Sequence, residues 1–261
     1  MAVQAQKIAG LSAFIICKNE EDRILLAINS LRELVEEIVV VDSGSTDKTV
    51  EVAQRLGAKV FYNEWRGYGL QKRFAEECCS NDWLLNLDAD EELTSELAKE
   101  IRGLFLEGPK NDIYKIHILD VYPHEDQPKP WAYGYWQFRL YNRSFGRFSE
   151  SSVHDTVQPL PNAKIARLSG KMNHRSFRSL NFWSDKFNRY SSMQVADMVT
   201  KNRKLPHFRL VIEFPIAFLK SYILRRGFLY GWWGLVIAHN YAFGRFLRIA
   251  KYYEHELLKR S

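Results

Sequence analysis

Three apolar runs limit what this chain can become: Leu11–Cys17, Ile38–Val41 at the end of Glu37–Val41, and Trp83–Leu87. A strand with one wet face alternates apolar and polar residues. A strand buried on both faces does not, and such strands belong to sheets covered by helices. Between the runs lie helical patterns. One is Ile24, Leu25, Ile28 and Leu31; the next is Val50, Val52, Ala53 and Leu56, closed by Gly57 just past the last turn. A short strand over Lys59–Tyr62 precedes Gly67-Tyr68-Gly69 and a helix carrying Lys72 and Arg73. Strands alternating with helices at this spacing predict an α/β fold with a mostly parallel, Rossmann-like sheet flanked by helices.

The run from Trp83 to Leu87 ends abruptly in Asp88-Ala89-Asp90-Glu91-Glu92. Ligands of open α/β sheets bind beyond the carboxyl ends of the strands, where Asp88 and Asp90 fall. Mg²⁺ and Mn²⁺ take oxygen ligands and commonly bridge a carboxylate to substrate phosphates. The alternative is a polar turn, with Glu91 and Glu92 as first-turn acids of the next helix, favoured by its dipole. The second run ends in Asp42, followed by Ser43-Gly44-Ser45-Thr46-Asp47. Asp42 either accepts hydrogen bonds from a base or ribose, or caps an Asx-turn. There is no G-x-G-x-x-G after the first strand and no G-x-x-x-x-G-K-[ST], which argues against a dinucleotide site and a P-loop. A nucleotide here is held by carboxylates, with a metal carrying its phosphates.

Four stretches together resemble glycosyltransferase family 2: Ile15–Glu21, Val39–Asp47, Gly67–Lys72 and Asp88–Glu91. Within that family the chain is similar to lipopolysaccharide core enzymes that add β-1,4-glucose to inner-core heptose. The resemblance covers residues 11–95 in order. It implies a GT-A fold, a nucleotide-sugar donor, a divalent cation (Mg or Mn) and inversion at the anomeric carbon. By position it implies that Asn19, Glu20 and Asp42 line the base and ribose, and that Lys72 lies near the donor. It further implies that Asp88 touches ribose or metal and that Asp90 binds the metal.

Beyond a linker at Glu107–Asp112, a strand over Ile113–Ile118 leads to an aromatic, basic stretch that includes Trp131, Trp136, Phe138 and Arg139. Rings beside cations suit a sugar face and a phosphate. Alternation places Trp136, Phe138 and Leu140 in the core and Gln137 and Arg139 toward a cleft, so Trp131, Gln137 and Arg139 are candidate acceptor or diphosphate contacts. Inverting transfer needs a carboxylate to take the proton of the attacking hydroxyl. Asp155, in Val153-His154-Asp155-Thr156-Val157, is that candidate. The family's usual motif there is Val-His-Glu, one methylene longer, and Glu150 is a nearby alternative. His154 reads as a structural histidine. His174 sits where the family carries a His that completes the metal shell or contacts the diphosphate.

Length and charge bound the rest. A chain of 261 residues, 46% hydrophobic, holds one large domain or a domain plus an appendage. Cys17, Cys78 and Cys79 fit neither a zinc spacing nor a disulfide framework, which points to a reducing cytoplasm. The N-terminus lacks the form of a signal peptide. Residues 1–200 carry 25 Lys and Arg against 28 Asp and Glu, and residues 201–261 carry 12 against 3, so the +6 total divides into −3 and +9. The expected division is a catalytic domain over 1–204, with a nucleotide-sugar half (1–106) and an acceptor half (107–204), and a basic, aromatic, amphipathic helical extension over 205–261. Residues 227–244 contain no charged side chain, 18 in a row, at the lower limit for a membrane span. His239, Asn240 and four glycines within that stretch favour helices lying among anionic headgroups. The alternative is a helical subdomain packed on the catalytic domain. Nucleic acid is not an expected partner, because the basic stretch is strongly apolar and carries no recognised motif.

The function expected is transfer of a hexose, glucose from UDP-glucose, onto a lipid-linked acceptor such as lipopolysaccharide inner core, at the cytoplasmic face of the bacterial inner membrane. A sugar nucleotidyltransferase would want a Gly-rich basic loop after the first strand, which Lys18-Asn19-Glu20-Glu21 is not. A non-catalytic membrane-bound binding protein would not need Asp42, Asp88, Asp90 and Asp155 together.

Overall fold

The apolar runs form the parallel centre of one sheet. A computed structural model describes residues 6–123, 125–150 and 155–259. The nucleotide-proximal half runs β1 (Ile8–Cys17), α1 (Ile24–Leu31), β2 (Val35–Asp42), α2 (Thr49–Arg55), β3 (Lys59–Tyr62), α3 (Tyr68–Cys78), β4 (Trp83–Asp88), β5 (Glu91–Leu93) and α4 (Ser95–Glu107). Then come β6 (Ile113–Asp120), β7 (Gly134–Asn142), β8 (Gly146–Phe148), β9 (Val157–Pro159), β10 (Ile165–His174), α5 (Leu180–Thr200), α6 (Arg209–Leu219) and α7 (Gly231–Leu258). The eight-stranded sheet has the order β3-β2-β1-β4-β7-β6-β10-β5, and β8 and β9 pair separately. Neighbours β3, β2, β1 and β4 are parallel, as are β6 and β10. Strand β7 is antiparallel to both β4 and β6, and β5 to β10.

Two layers cover the sheet. Ile24, Ile28 and Leu31 of α1 and Leu97 and Ile101 of α4 pack on Leu85, Leu87, Ile116 and Met172. On the other face Ala75 of α3 meets Phe14, Val39, Val41, Tyr141 and Phe148. Both faces of β1, β2 and β4 are therefore dry, which is why those strands carry no alternation.

Two local expectations change. Glu91 and Glu92 belong to strand β5, not to a helix; the helix starts at Ser95, with the Thr94 hydroxyl accepting from Leu97 N–H. The pairing of β6 with β7 slips between Tyr114↔Leu140 and Lys115↔Phe138, leaving Arg139 as the extra residue of a bulge. A bulge resets the two-residue alternation. Leu140 thus joins the α1/α4 core while Phe138 packs with the α3 side, and Trp136, expected in the core, is exposed.

The chain divides into two compact units. One takes the described residues up to Asp120 and Gly134–Ser176, and the other takes Val121–Tyr133 and the residues from Phe177 on. The sequence-based border at residue 204 falls inside the second unit, because Val195 and Met198 of α5 bury themselves with Tyr252 of α7. In that unit the buried Glu213 ties α6 to α7, accepting from Arg209 at 2.5 Å, Arg245 at 2.9 Å and Arg248 at 3.2 Å. Among the described residues no helix is long and apolar enough to cross a membrane. Residues 227–244 are split between a 3₁₀ turn at Gly227–Tyr230 and the first part of α7.

Glu37 ties the opposite end of the sheet together, accepting from Ser12 Oγ at 2.6 Å, Lys59 Nζ at 2.7 Å and Ser80 N–H at 2.9 Å. Burial pushes its pKa up, but Lys59 and the two serines prevail and hold it at about 2. The folded value lies below the unfolded 4.5, so the stabilisation is complete above pH 4.5 and is lost as pH falls toward 2. Glu37→Gln is expected to destabilise the fold by about 1.5–3 kcal/mol at neutral pH. Thermal melts should show the deficit shrinking below pH 4.5; a deficit independent of pH would mean that the charge plays no part.

Candidate active site

Strand register brings the acids to one edge. Cys17 of β1 pairs with Asp42 of β2, and Ile16 pairs with Asp88 of β4, so Asp42 and Asp88 end the two strands flanking β1. Asp42 Oδ2 accepts from the N–H groups of Gly44 (2.8 Å) and Ser45 (2.9 Å), and Oδ1 accepts from the Ser45 hydroxyl. It is the capping residue of an Asx-turn. The turn interlocks with the loop after β1: Asn19 N–H donates to Ser45 Oγ at 2.9 Å, and Asn19 Oδ1 accepts from Thr46 N–H at 2.8 Å. Asn19 holds φ at 56°, a left-handed conformation that Asn tolerates better than most residues. Glu20 N–H donates to Thr49 Oγ1 at 2.7 Å.

Asp88 is held between two buried cations. Lys72, only 1% exposed, reaches from α3 to Asp88 Oδ1 at 2.8 Å and Asp155 Oδ2 at 2.9 Å. Arg139, aimed by the bulge, donates to Asp88 Oδ2 at 2.9 Å, to Glu91 Oε1 at 2.5 Å and to Asn86 Oδ1. Glu91 also accepts the Asp88 N–H at 2.9 Å, which fixes the turn after β4. Burial works against ionisation of Asp88, but Arg139 and Lys72 outweigh it and hold the carboxyl well below its usual range. For Glu91 burial dominates and pushes the pKa upward, despite Arg139.

Asp90 has different partners. Arg23 Nη1 lies 3.3 Å from Asp90 Oδ2 and also donates to the Arg175 carbonyl at 3.1 Å, while its Nη2 meets Glu20 at 2.5 Å. A line of contacts thus connects Asp42, Ser45, the Asn19–Glu20 loop, Arg23 and Asp90. His174 Nε2 lies 3.4 Å from Asp90 Oδ2, and Nδ1 lies 2.7 Å from Asp120. Burial lowers the His174 pKa, but Asp90 and Asp120 raise it well above the ordinary value; burial likewise opposes ionisation of Asp90, which His174 and Arg23 depress overall. Among the described residues no group of three or more His, Cys, Asp and Glu side chains converges on a metal position. Asp90 and His174 nevertheless fit a two-ligand set. Two ligands at about 2.1 Å from one ion stand about 3 Å apart, and Mg²⁺-type sites draw their other ligands from substrate phosphates and water. His174 must lose its proton to ligate.

Other expected residues lie elsewhere. Gln137 is half-buried on β7 opposite Ile116. Trp131 belongs to the second unit, exposed and with φ at 67°. Asp155 is 43% exposed at its side chain, and Glu150 is exposed. His154 lies outside the described residues. Arg23, Asn86, Glu91 and Asp120 were missed in the sequence. Asp120 could have been found by the rule that found Asp88, since it too ends a strand; nothing in the spacing marks Arg23.

Residues 12–160 match the family model described as glycosyl transferase family 2. A Rickettsia felis protein named uncharacterized glycosyltransferase is 43% identical over 258 residues, covering 95% of this chain and 91% of that one. LpsC of Rhizobium meliloti, named a lipopolysaccharide core biosynthesis glycosyltransferase, is 34% identical over 265 residues, covering 95% and 94%. The crystal structure of S. aureus TarS 1-349 gives a TM-score of 0.47 at 18% identity, covering 84% and 74%. The chain belongs to glycosyl transferase family 2, and its mostly parallel sheet flanked by helices is the α/β architecture expected. The family expected from four short stretches is the one found.

Removing one partner of a buried ion pair strands the other, at about 3–5 kcal/mol. Arg139→Met is expected to destabilise the fold by that amount, read from chemical denaturation, with Arg139→Lys in between. A loss under about 1 kcal/mol would show that the guanidinium is not the counter-ion that Asp88 and Glu91 require.

Proposed function

We propose that the chain is a metal-dependent, inverting hexosyltransferase that moves glucose from UDP-glucose onto a lipid-linked saccharide of the lipopolysaccharide inner-core kind. The observation that carries this reading is the unequal environment of two carboxylates one residue apart. Asp88 is neutralised by protein cations, Lys72 and Arg139, while Asp90 pairs with His174 in a set that fits a divalent ion. The name of the Rhizobium meliloti relative supports the acceptor class.

Asp90 and His174 would hold Mg²⁺ or Mn²⁺, which supplies positive charge against the leaving diphosphate. The interlocked loops of Asn19, Glu20 and Asp42 face the base and ribose, their backbone conformation set by the Asx-turn. Asp155 takes the proton of the attacking hydroxyl, and Lys72, bonded to both Asp155 and Asp88, fixes the spacing of base and donor. That tie favours Asp155 over Glu150 as the base. Gln137, paired with Ile116, faces the α1/α4 side of the sheet and has no part in this arrangement. Arg139 acts on the diphosphate through Asp88 rather than directly.

The second unit suits a peripheral position on the cytoplasmic face of the inner membrane. Val211 (77% exposed), Leu224 (73%) and Trp232 (66%) stand in water beside a strongly basic sequence. Apolar side chains rimmed by Arg and Lys are what an anionic headgroup layer binds.

A panel of UDP-, GDP- and ADP-sugars with Mn²⁺ or Mg²⁺ tests the donor, scored by slow hydrolysis. Asp90→Asn is expected to abolish turnover and its metal dependence; turnover that survives removes the metal role. Asp155→Asn should keep UDP binding and cut transfer by about 10²–10⁴-fold, and if Glu150→Gln does so instead, the base is Glu150. On the membrane side, the full chain should co-sediment with phosphatidylglycerol vesicles and not with phosphatidylcholine ones, and Leu224→Asp with Trp232→Ala should release it. Equal binding to both lipids would rule out the charged-headgroup reading.

A further inference from the structure

The bulge at Arg139 leaves a patch of sheet that the site described above does not use. Tyr114, Ile116 and Ile118 of β6 belong to the core under α1 and α4, so Lys115 and His117 between them point to the opposite face. That is the face on which α3 holds Lys72 against Asp88. Register completes a grid of two rows. Phe138, Lys115 and Arg167 lie side by side across β7, β6 and β10, and Trp136, His117 and Lys171 form the next row. Because β7 runs antiparallel to β4, its start lies at the edge where β4 ends in Asp88. Trp136 therefore lies on the strand next to β4, toward the edge at which β4 ends.

The chemistry of the grid is uniform. The His117 and Trp136 rings stack with centroids 4.8 Å apart, and the Arg167 guanidinium lies 4.9 Å from the Trp136 ring. Lys115 Nζ lies 4.6 Å from the Phe138 ring. Gly134 makes room for the imidazole: a Cβ there would meet His117 Nε2 and the backbone of Ile118. Burial lowers the His117 pKa most, a hydrogen bond with the Gly134 backbone raises it, and Lys171 lowers it further, for a net downward shift. With two neighbours against it, the indole is still 37% exposed. Among the described residues Lys115, Arg167 and Lys171 form no ion pair, in a unit whose other site cations are matched by carboxylates. Three unmatched cations around a partly exposed indole suit a ligand that brings both an apolar surface and negative charge.

We propose that this grid is the acceptor platform and that its ligand is an anionic saccharide, a sugar bearing phosphate or carboxylate groups. The exposed part of the Trp136 indole meets the apolar side of the sugar, and Lys115, Arg167 and Lys171 take the anionic substituents. The inference rests on the glycosyltransfer reading for the word acceptor, but the binding itself does not.

Three probes test it on the full chain, with binding read by saturation-transfer NMR: a mannose monophosphate, glucuronate and neutral methyl mannoside. Both anionic probes are expected to bind at least about tenfold more tightly than the neutral one, with affinity falling as salt rises. A tighter phosphate assigns a phosphosugar, and a tighter carboxylate assigns a uronate-like sugar. Arg167→Gln and Lys115→Gln should each weaken the anionic probes several-fold and leave methyl mannoside unmoved. Trp136→Ala should weaken all three, with Trp136→Phe, the milder change, restoring most of the affinity. Equal affinity for neutral and anionic probes, or anionic affinity unmoved in Arg167→Gln, overturns the proposal. UDP titrated into the unmodified chain reads the donor site separately: if UDP does not bind, glycosyltransfer fails while the platform result stands.

Discussion

Carboxylates cannot crowd the dry end of a sheet unless cations come with them. Asp88, Asp90, Glu91 and Glu20 meet where β4 and β1 stop, and each is answered by Lys72, Arg139, Arg23 or His174. An isolated buried carboxylate would shed its charge by taking up a proton. Every element that reaches this edge serves the balance: α3 delivers Lys72, the bulge in β7 turns Arg139 inward, and the start of α1 presents Arg23. The sheet topology is thereby coupled to the chemistry, because β7 must lie beside β4 for Arg139 to reach Asp88.

That dependence explains which parts were readable in the chain of letters. The central strands and the acids at their tips could be read locally, since an unalternated apolar run and the residue that ends it sit side by side. The family resemblance rested on the same short stretches. The counter-charges could not be read this way. Arg139 lies 51 residues from Asp88 and Asp155 lies 83 from Lys72, and no period or spacing links them. The bulge hid one step further: strict alternation placed Trp136 with Leu140, and a single extra residue separated them. Asp42 carried two readings; the Asx-turn is present and shapes the loop that Asn19 and Glu20 share, and the donor role stands as proposed.

The helical part followed a different logic. Its composition announced basic, aromatic helices, but the border expected at residue 204 ignored where α5 buries its apolar side. Tyr252 decides that point by packing on Val195 and Met198. Glu213 then does within the helices what Arg139 does within the sheet, with the signs reversed: one buried acid gathers three arginines from two elements.

The sheet closes at each side on a strand too brief to recruit another. Strand β3 has four residues and begins with Lys59, and β5 has three; where β5 stops short along β10, Glu100 of α4 takes the Ser169 and Gly170 N–H groups. A neighbouring molecule seeking to extend either margin would find few amide groups to grip and, at β3, a charged side chain at its start. A protein that keeps a wide, oily sheet in a crowded cell thus keeps its copies from zipping together.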